Sequence, residues 1–163
     1  MMTQPQSNLN KIIPNYDASR FKVATIVSRF NEPVTSALLE GALKEFDKLG
    51  LDPKNHDLME VPGAFELPLT AKLLAKSKKY DAILCLGAVI RGETTHYDIV
   101  CEESASGIAK VSYEFDMPVI LGVLTTENKE QALERAKSDR KDKGGECARA
   151  AIEMANLTKV ITT

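Results

Sequence analysis

Four short segments hold most of the side chains that could do chemistry. They are Ser28-Arg29-Phe30-Asn31, Val61-Pro62-Gly63-Ala64-Phe65-Glu66, Val89-Ile90-Arg91-Gly92-Glu93-Thr94-Thr95-His96 and Thr125-Thr126-Glu127-Asn128. Gly92 lets a backbone approach a ligand closely, and Thr94 and Thr95 add hydroxyls. If a helix opens here, its first N–H groups are unpaired and its dipole favours an anion. One reading is a phosphate cradle; the other is plain N-capping by threonine, and spacing alone does not separate them. His96 follows at once, and an imidazole titrating near neutrality suits proton transfer. A lone histidine is more often a surface or packed residue, but a place just after a candidate anion loop favours the catalytic reading.

Glu66 has two readings: a first-turn acid favoured by a helix dipole, or a carboxylate that accepts hydrogen bonds from a polyol or amine. Phe30 and Phe65 are either core residues or rings that stack on a planar ligand. His56, in the connector from Asp52 to Asp57, reads as a solvated surface residue. Cys85, Cys101 and Cys147 have no ligand spacing with a histidine, so they read as packing residues and no metal site is expected. No GxxxxGK motif followed by Ser or Thr is present. Arg135 and Lys143 supply a second anion contact only if the fold or a neighbouring chain brings them round.

The elements that must position these residues follow from periodicity. Phe21 to Val27 reads as a β-branched strand. Asn31 then caps a helix with Pro33 in its first turn, and Val34, Leu38, Ala42, Phe46 and Leu49 mark one face before Gly50 stops it. A second strand spans Asp57 to Val61 and is broken by Pro62-Gly63. A second helix carries Leu67, Ala71, Leu74 and Ala75, with Pro68 in its first turn. Ala82 to Leu86 is apolar at every position, as a central parallel strand covered on both faces should be. A helix with Val100, Ser104, Ile108 and Val111 follows, then a strand from Val119 to Leu124. A helix runs from about Asn128 to Ser138, with an Asn128/Gln131 capping box. A charged linker, Ser138 to Lys143, leads to Gly144-Gly145, and a last helix carries Ala148, Ala151, Ile152 and Ala155. This alternation predicts a three-layer α/β/α sandwich on a four-stranded parallel sheet. In such sheets ligands sit beyond the carboxyl ends of the strands, where all four segments fall.

Composition bounds the function. The 163 residues suit one domain. Lys and Arg total 21 against 23 for Asp and Glu, a net charge of −2, which excludes a nucleic-acid binder that relies on a bulk positive field. Hydrophobic residues at 44% and charged residues at 27% describe an ordinary globule and not a disordered chain. Ala82 to Ile90, the longest uncharged apolar stretch, is less than half of the about twenty residues a membrane span needs. No apolar signal region opens the chain. Three cysteines without a CxxC pair argue against a disulfide framework and for a cytoplasmic home. Residues 1–20 are polar and read as an arm ordered, if at all, from outside the core; residues 21–163 read as the single domain.

Taken in order, several stretches resemble the lumazine synthase family of riboflavin biosynthesis. These are Arg29-Phe30-Asn31, Val61 to Pro68, Leu86 to Tyr97, Gly122 to Asn128, Glu134-Arg135-Ala136, Lys143-Gly144 and Ala151 to Leu157. The resemblance covers roughly Phe21 to Leu157. It implies a flavodoxin-like sheet and a reaction without metal or organic cofactor. In that reaction 5-amino-6-(D-ribitylamino)uracil condenses with 3,4-dihydroxy-2-butanone 4-phosphate. A Schiff base forms, phosphate is eliminated, and the ring closes with loss of water. By motif, Phe30 would stack on the pyrimidine. Ala64 and Glu66 would hold the ribityl chain beside Phe65, and Val89 and Ile90 would line the pyrimidine slot. Gly92, Glu93 and Thr94 would cradle phosphate with Arg135. His96 would shuttle protons, and Lys143 would line the site.

The resemblance further implies a pentamer with its site between neighbouring subunits. Some members build a capsid of twelve pentamers, which in some cases involves riboflavin synthase as a partner. The link from Arg135 to Lys143 looks like the short form that capsids tolerate, although Lys137, Ser138 and Asp139 replace a glycine-containing turn tied to capsid assembly. Leu121 stands where many members have phenylalanine beside the ring, which implies weaker stacking. Glu93 should turn its carboxylate away and offer only its N–H. Two other functions fit the same fold: a module that holds a flavin or lumazine without turnover, and a shell protein.

Overall fold

The computed structural model describes residues 9–163. Strands β1 (Val23–Ser28), β2 (His56–Val61), β3 (Ala82–Ile90) and β4 (Val119–Thr126) form one parallel sheet in the order β2-β1-β3-β4. Five helices connect and follow them: α1 (Glu32–Lys48), α2 (Leu67–Lys76), α3 (His96–Phe115), α4 (Lys129–Ala136) and α5 (Lys143–Thr162). Helices α2 and α3 cover one face, and α1, α4 and α5 cover the other.

The period-two alternation of a strand sorts side chains between these layers. Val23 and Val27 of β1 and Leu84, Leu86 and Ala88 of β3 pack with Val34, Leu38, Phe46 and Ile152. Ala24 and Ile26 with Ile83, Cys85 and Val89 pack against Leu67, Ala71, Ile108 and Val111. Both central strands are therefore buried except at Ile90; β3 reads as an unbroken apolar run, while β1 buries the polar Thr25 and Ser28 within it. The three-layer sandwich expected from the alternation is the observed fold.

Several boundaries differ from expectation, each for a local reason. β3 continues four residues past Leu86 and β4 two past Leu124, because the two strands pair as far as Ile90 with Thr126. Gly144 and Gly145 lie inside α5 and do not end a linker. A Cβ on Gly144 would overlap the carbonyl of Leu38, so only glycine lets α1 and α5 come this close. Asp142 caps α5 by accepting from the Gly145 N–H at 3.2 Å. The end of the polar arm, residues 15–18, packs on the chain's own α5. Asn156 donates to the carbonyls of Asn15 and Asp17, the Arg149 guanidinium lies 3.8 Å from the Tyr16 ring centre, and Ala18 is buried. Residues 1–8 of the arm lie outside the described residues.

His56 is a further correction. It is half-buried, not solvated: its ring meets Phe46 edge-on at 5.0 Å, and its Nε2 shares a 2.7 Å hydrogen bond with Thr25 Oγ1. Burial holds its pKa below the ordinary value of 6.5. The unfolded chain thus binds a proton there that the native ring resists. Stability contributed by neutral His56 is complete above about pH 6.5, falls as pH drops through that value, and levels off once the native ring also titrates. His56→Gln should flatten this acid limb in urea melts between pH 7 and 5. A separate series should show Gly144→Ala losing about 1–3 kcal/mol, the usual penalty for forcing atoms into packed space.

Candidate active site

The chain runs outward from β1 to β2 and then returns to β1's other side as β3. That reversal leaves a crevice at the carboxyl ends of the strands. It holds a cleft of about 610 Å³, large enough for a small-molecule ligand.

The first wall is the turn from β1 to α1. The N–H groups of Arg29 and Phe30 donate to the carbonyls of Val61 and Pro62 at 2.9 and 3.0 Å, so pairing with β2 outlasts the strands. Asn31 then takes a left-handed conformation with φ 63°. It occupies the cap position of α1 but makes no side-chain cap. Its amide instead donates to the Ala88 carbonyl at the end of β3, at 2.9 Å. The turn is thereby fastened on both sides, and the Phe30 ring is left 72% exposed at the cleft. It is not a core residue.

The second wall is the 3-10 turn Ala64–Glu66 before α2. Gly87 of β3 makes room for it. A Cβ there would stand 3.0 Å from Ser28 Oγ, 3.2 Å from Leu67 Cδ1 and 3.5 Å from Ala64 Cβ. Ala64 is buried against this floor, while the Phe65 ring is 55% exposed at the cleft. Glu66 does what its first-turn position suggests: Oε2 accepts from the Gly63 N–H at 3.0 Å. Its other oxygen makes no hydrogen bond among the described residues.

The third wall comes from β3 and α3. Val89 and Ile90 lie along the cleft, followed by Gly92, Thr94 and His96, all exposed. Plain threonine capping describes this helix entry poorly. Thr95 makes no side-chain cap, and Thr94 Oγ1 accepts from the His96 N–H only at 3.3 Å. Among the described residues, no hydrogen bond engages the backbone N–H groups of Gly92 to Thr95. A side chain on Gly92 would meet open space. Unpaired N–H groups ahead of a helix are donors that an anion or water can take up.

The cleft thus brings together Phe30, Ala64, Phe65, Glu66, Val89, Ile90, Gly92, Thr94 and His96. Four other expected residues do not line it. Glu93 is exposed beside it. Leu121 is 44% exposed on the edge strand β4. Arg135, in the last turn of α4, donates to its own helix at Gln131 O (3.0 Å), and Lys143 pairs with Glu146 at 3.1 Å. Tyr97, Ile99 and Val100 also line the cleft, although the sequence reading gave none of them a role there. His96, Ile99 and Val100 stand at i, i+3 and i+4, a spacing that would have found Ile99 and Val100 but not Tyr97.

Burial raises the thiols of all three cysteines, Cys85 to about 12, so they behave as packing groups and not as nucleophiles. No three His, Cys, Asp or Glu side chains come together as a metal site among the described residues. No described helix is long and apolar enough to cross a membrane.

A parallel three-layer sandwich with a ligand cleft at its strand reversal is a flavodoxin-like α/β protein of the small-molecule-binding kind. Its sequence matches the profile of the 6,7-dimethyl-8-ribityllumazine synthase family over residues 20–159, and the chain belongs to that family. Membership supports lumazine synthase activity in riboflavin biosynthesis.

The two kinds of phenylalanine should separate in denaturation. Phe46→Ala, in the core, should cost about 3–5 kcal/mol. Phe30→Ala, at the cleft, should stay within about 0.5 kcal/mol of the parent protein.

Proposed function

We propose that the chain condenses 5-amino-6-(D-ribitylamino)uracil with 3,4-dihydroxy-2-butanone 4-phosphate. The products are 6,7-dimethyl-8-ribityllumazine, phosphate and water, the penultimate step of riboflavin biosynthesis. The observation that carries this reading is one cleft in which an exposed phenylalanine, a carboxylate, a loop of unpaired N–H groups and a histidine converge.

In this reading Phe30 stacks on the pyrimidine and Val89 and Ile90 border its slot. Ala64 and Glu66 hold the ribityl chain, with Phe65 beside them. Gly92, Glu93 and Thr94 receive the phosphate. The amine attacks the ketone, and loss of water gives a Schiff base. A proton leaves the carbon next to the imine as phosphate departs, and His96 carries that proton. The ring then closes with loss of a second water. Charge grows on the phosphate as its bond to carbon breaks, so N–H groups and a guanidinium aimed there favour the transition state over the ground state. Holding two substrates together supplies as much as ~7–11 kcal/mol, whereas a positioned histidine adds about 10²- to 10⁴-fold. Positioning therefore dominates.

Arg135, Lys143 and Leu121 stand outside the cleft of their own chain, which supports the reading that a neighbouring copy contributes them. We take the working unit to be a homo-pentamer. Assembly of twelve pentamers into a capsid, riboflavin synthase as a partner and a cytoplasmic setting belong to the same proposal. They rest on the family resemblance and on cysteine usage.

The test is turnover. Purified protein with both substrates should accelerate lumazine formation and phosphate release saturably over a protein-free control. A rate equal to the control, with tight lumazine or flavin binding, would make the chain a binding module instead. His96→Ala should slow turnover without abolishing it, and Arg135→Glu should do more damage; steady-state kinetics would reveal the opposite order.

A further inference from the structure

We propose that Arg91 is a positioning residue that clamps the phosphate loop from outside the cleft and does not itself bind the phosphate. The proposal rests on the phosphate reading above. Arg91 is the last residue before Gly92, yet its side chain does not line the cleft. Its Nε donates to Glu127 Oε2 at 2.7 Å, and its Nη1 lies 3.6 Å from Asp98 Oδ1. The guanidinium carbon sits 4.2 Å from the centre of the Tyr97 ring. Its backbone N–H donates to Thr126 O at 2.9 Å.

These contacts join three places in the fold. Arg91 follows the end of β3, Thr126 ends β4 with Glu127 directly after it, and Tyr97 and Asp98 lie in the first turn of α3. The loop of free N–H groups runs from residue 92 to residue 95, so the residue before it is bound to Tyr97 and Asp98, the second and third residues after it. A planar guanidinium suits this task because it stacks on a ring and offers several donors in fixed directions. Each contact is partly exposed and weak alone, but together they fix the angle at which α3 leaves the sheet. That angle aims the N–H groups of the loop.

A cation beside an anion loop has an obvious alternative role as a direct ligand, and Glu127 separates the two. If Arg91 clamps, Glu127→Gln loosens the clamp and weakens phosphate. If Arg91 binds phosphate, Glu127→Gln releases the guanidinium and strengthens it. The probes are inorganic phosphate as a competitive inhibitor and the KM of each substrate. Arg91→Gln and Glu127→Gln should both raise the phosphate inhibition constant and the KM of the butanone phosphate by about three- to tenfold, the scale of one or two such contacts. The KM of the ribitylaminouracil should stay within about twofold.

A second measurement needs no ligand. The N–H groups of Arg91, Asp98 and Ile99 are bonded to Thr126 and Thr95, and they should exchange with deuterium faster in both variants. Tighter phosphate in Glu127→Gln, or unchanged exchange in both variants, overturns the proposal. A parent enzyme indifferent to phosphate sinks the phosphate reading, while faster exchange in both variants still establishes the clamp.

Discussion

A parallel strand cannot follow its neighbour through a tight turn, and everything at the cleft depends on that constraint. Each crossover needs a helix, and crossovers in one sheet share one hand. Moving from β1 outward to β2 therefore puts α1 on one face. Returning past β1 to β3 puts α2 on the other. The turns leaving β1 and β3 then point apart, and the space between them is the cleft. No side chain has to be strained to make it; the strand order suffices.

Within that frame two small features decide the shape. Gly87 has no side chain, so the turn carrying Ala64, Phe65 and Glu66 settles onto β3 beside Ser28. Asn31 turns left-handed and spends its amide on Ala88 instead of on α1. The first device lowers one wall and the second fixes the opposite one. Phe30 and Phe65 stay exposed between them because the backbone, not burial of the rings, holds them there. Exposed rings at a cleft offer faces on which a planar ligand could stack.

The fold was legible because burial and periodicity are local signals. The uninterrupted apolar run of β3 and the spacing of Val34, Leu38, Ala42 and Phe46 needed no knowledge of distant neighbours. Gly144 and Gly145 misled for the opposite reason. The role of Gly144 is set by the approach of α1, more than a hundred residues away in sequence, and that of Gly145 by the capping side chain of Asp142. His56 misled likewise, since Phe46 and Thr25 reach it only across the fold. At the site, the loop residues were legible from type and order. Arg91, Tyr97, Asp98 and Glu127 were not read as one cluster, because pairing of β3 with β4 brings Glu127 to the others. Arg135 and Lys143 do not line the cleft of their own chain.

The central claim is that one cleft holds a ring and a phosphate at once, the ring on Phe30 and the phosphate at the entry of α3. The most direct measurement is a crystal structure of the assembled protein grown with 6,7-dimethyl-8-ribityllumazine and inorganic phosphate. The account predicts the lumazine ring against Phe30, and phosphate within hydrogen-bonding distance of the N–H groups of Gly92 to Thr94. A ring seated elsewhere, or phosphate bound away from this loop, would contradict it.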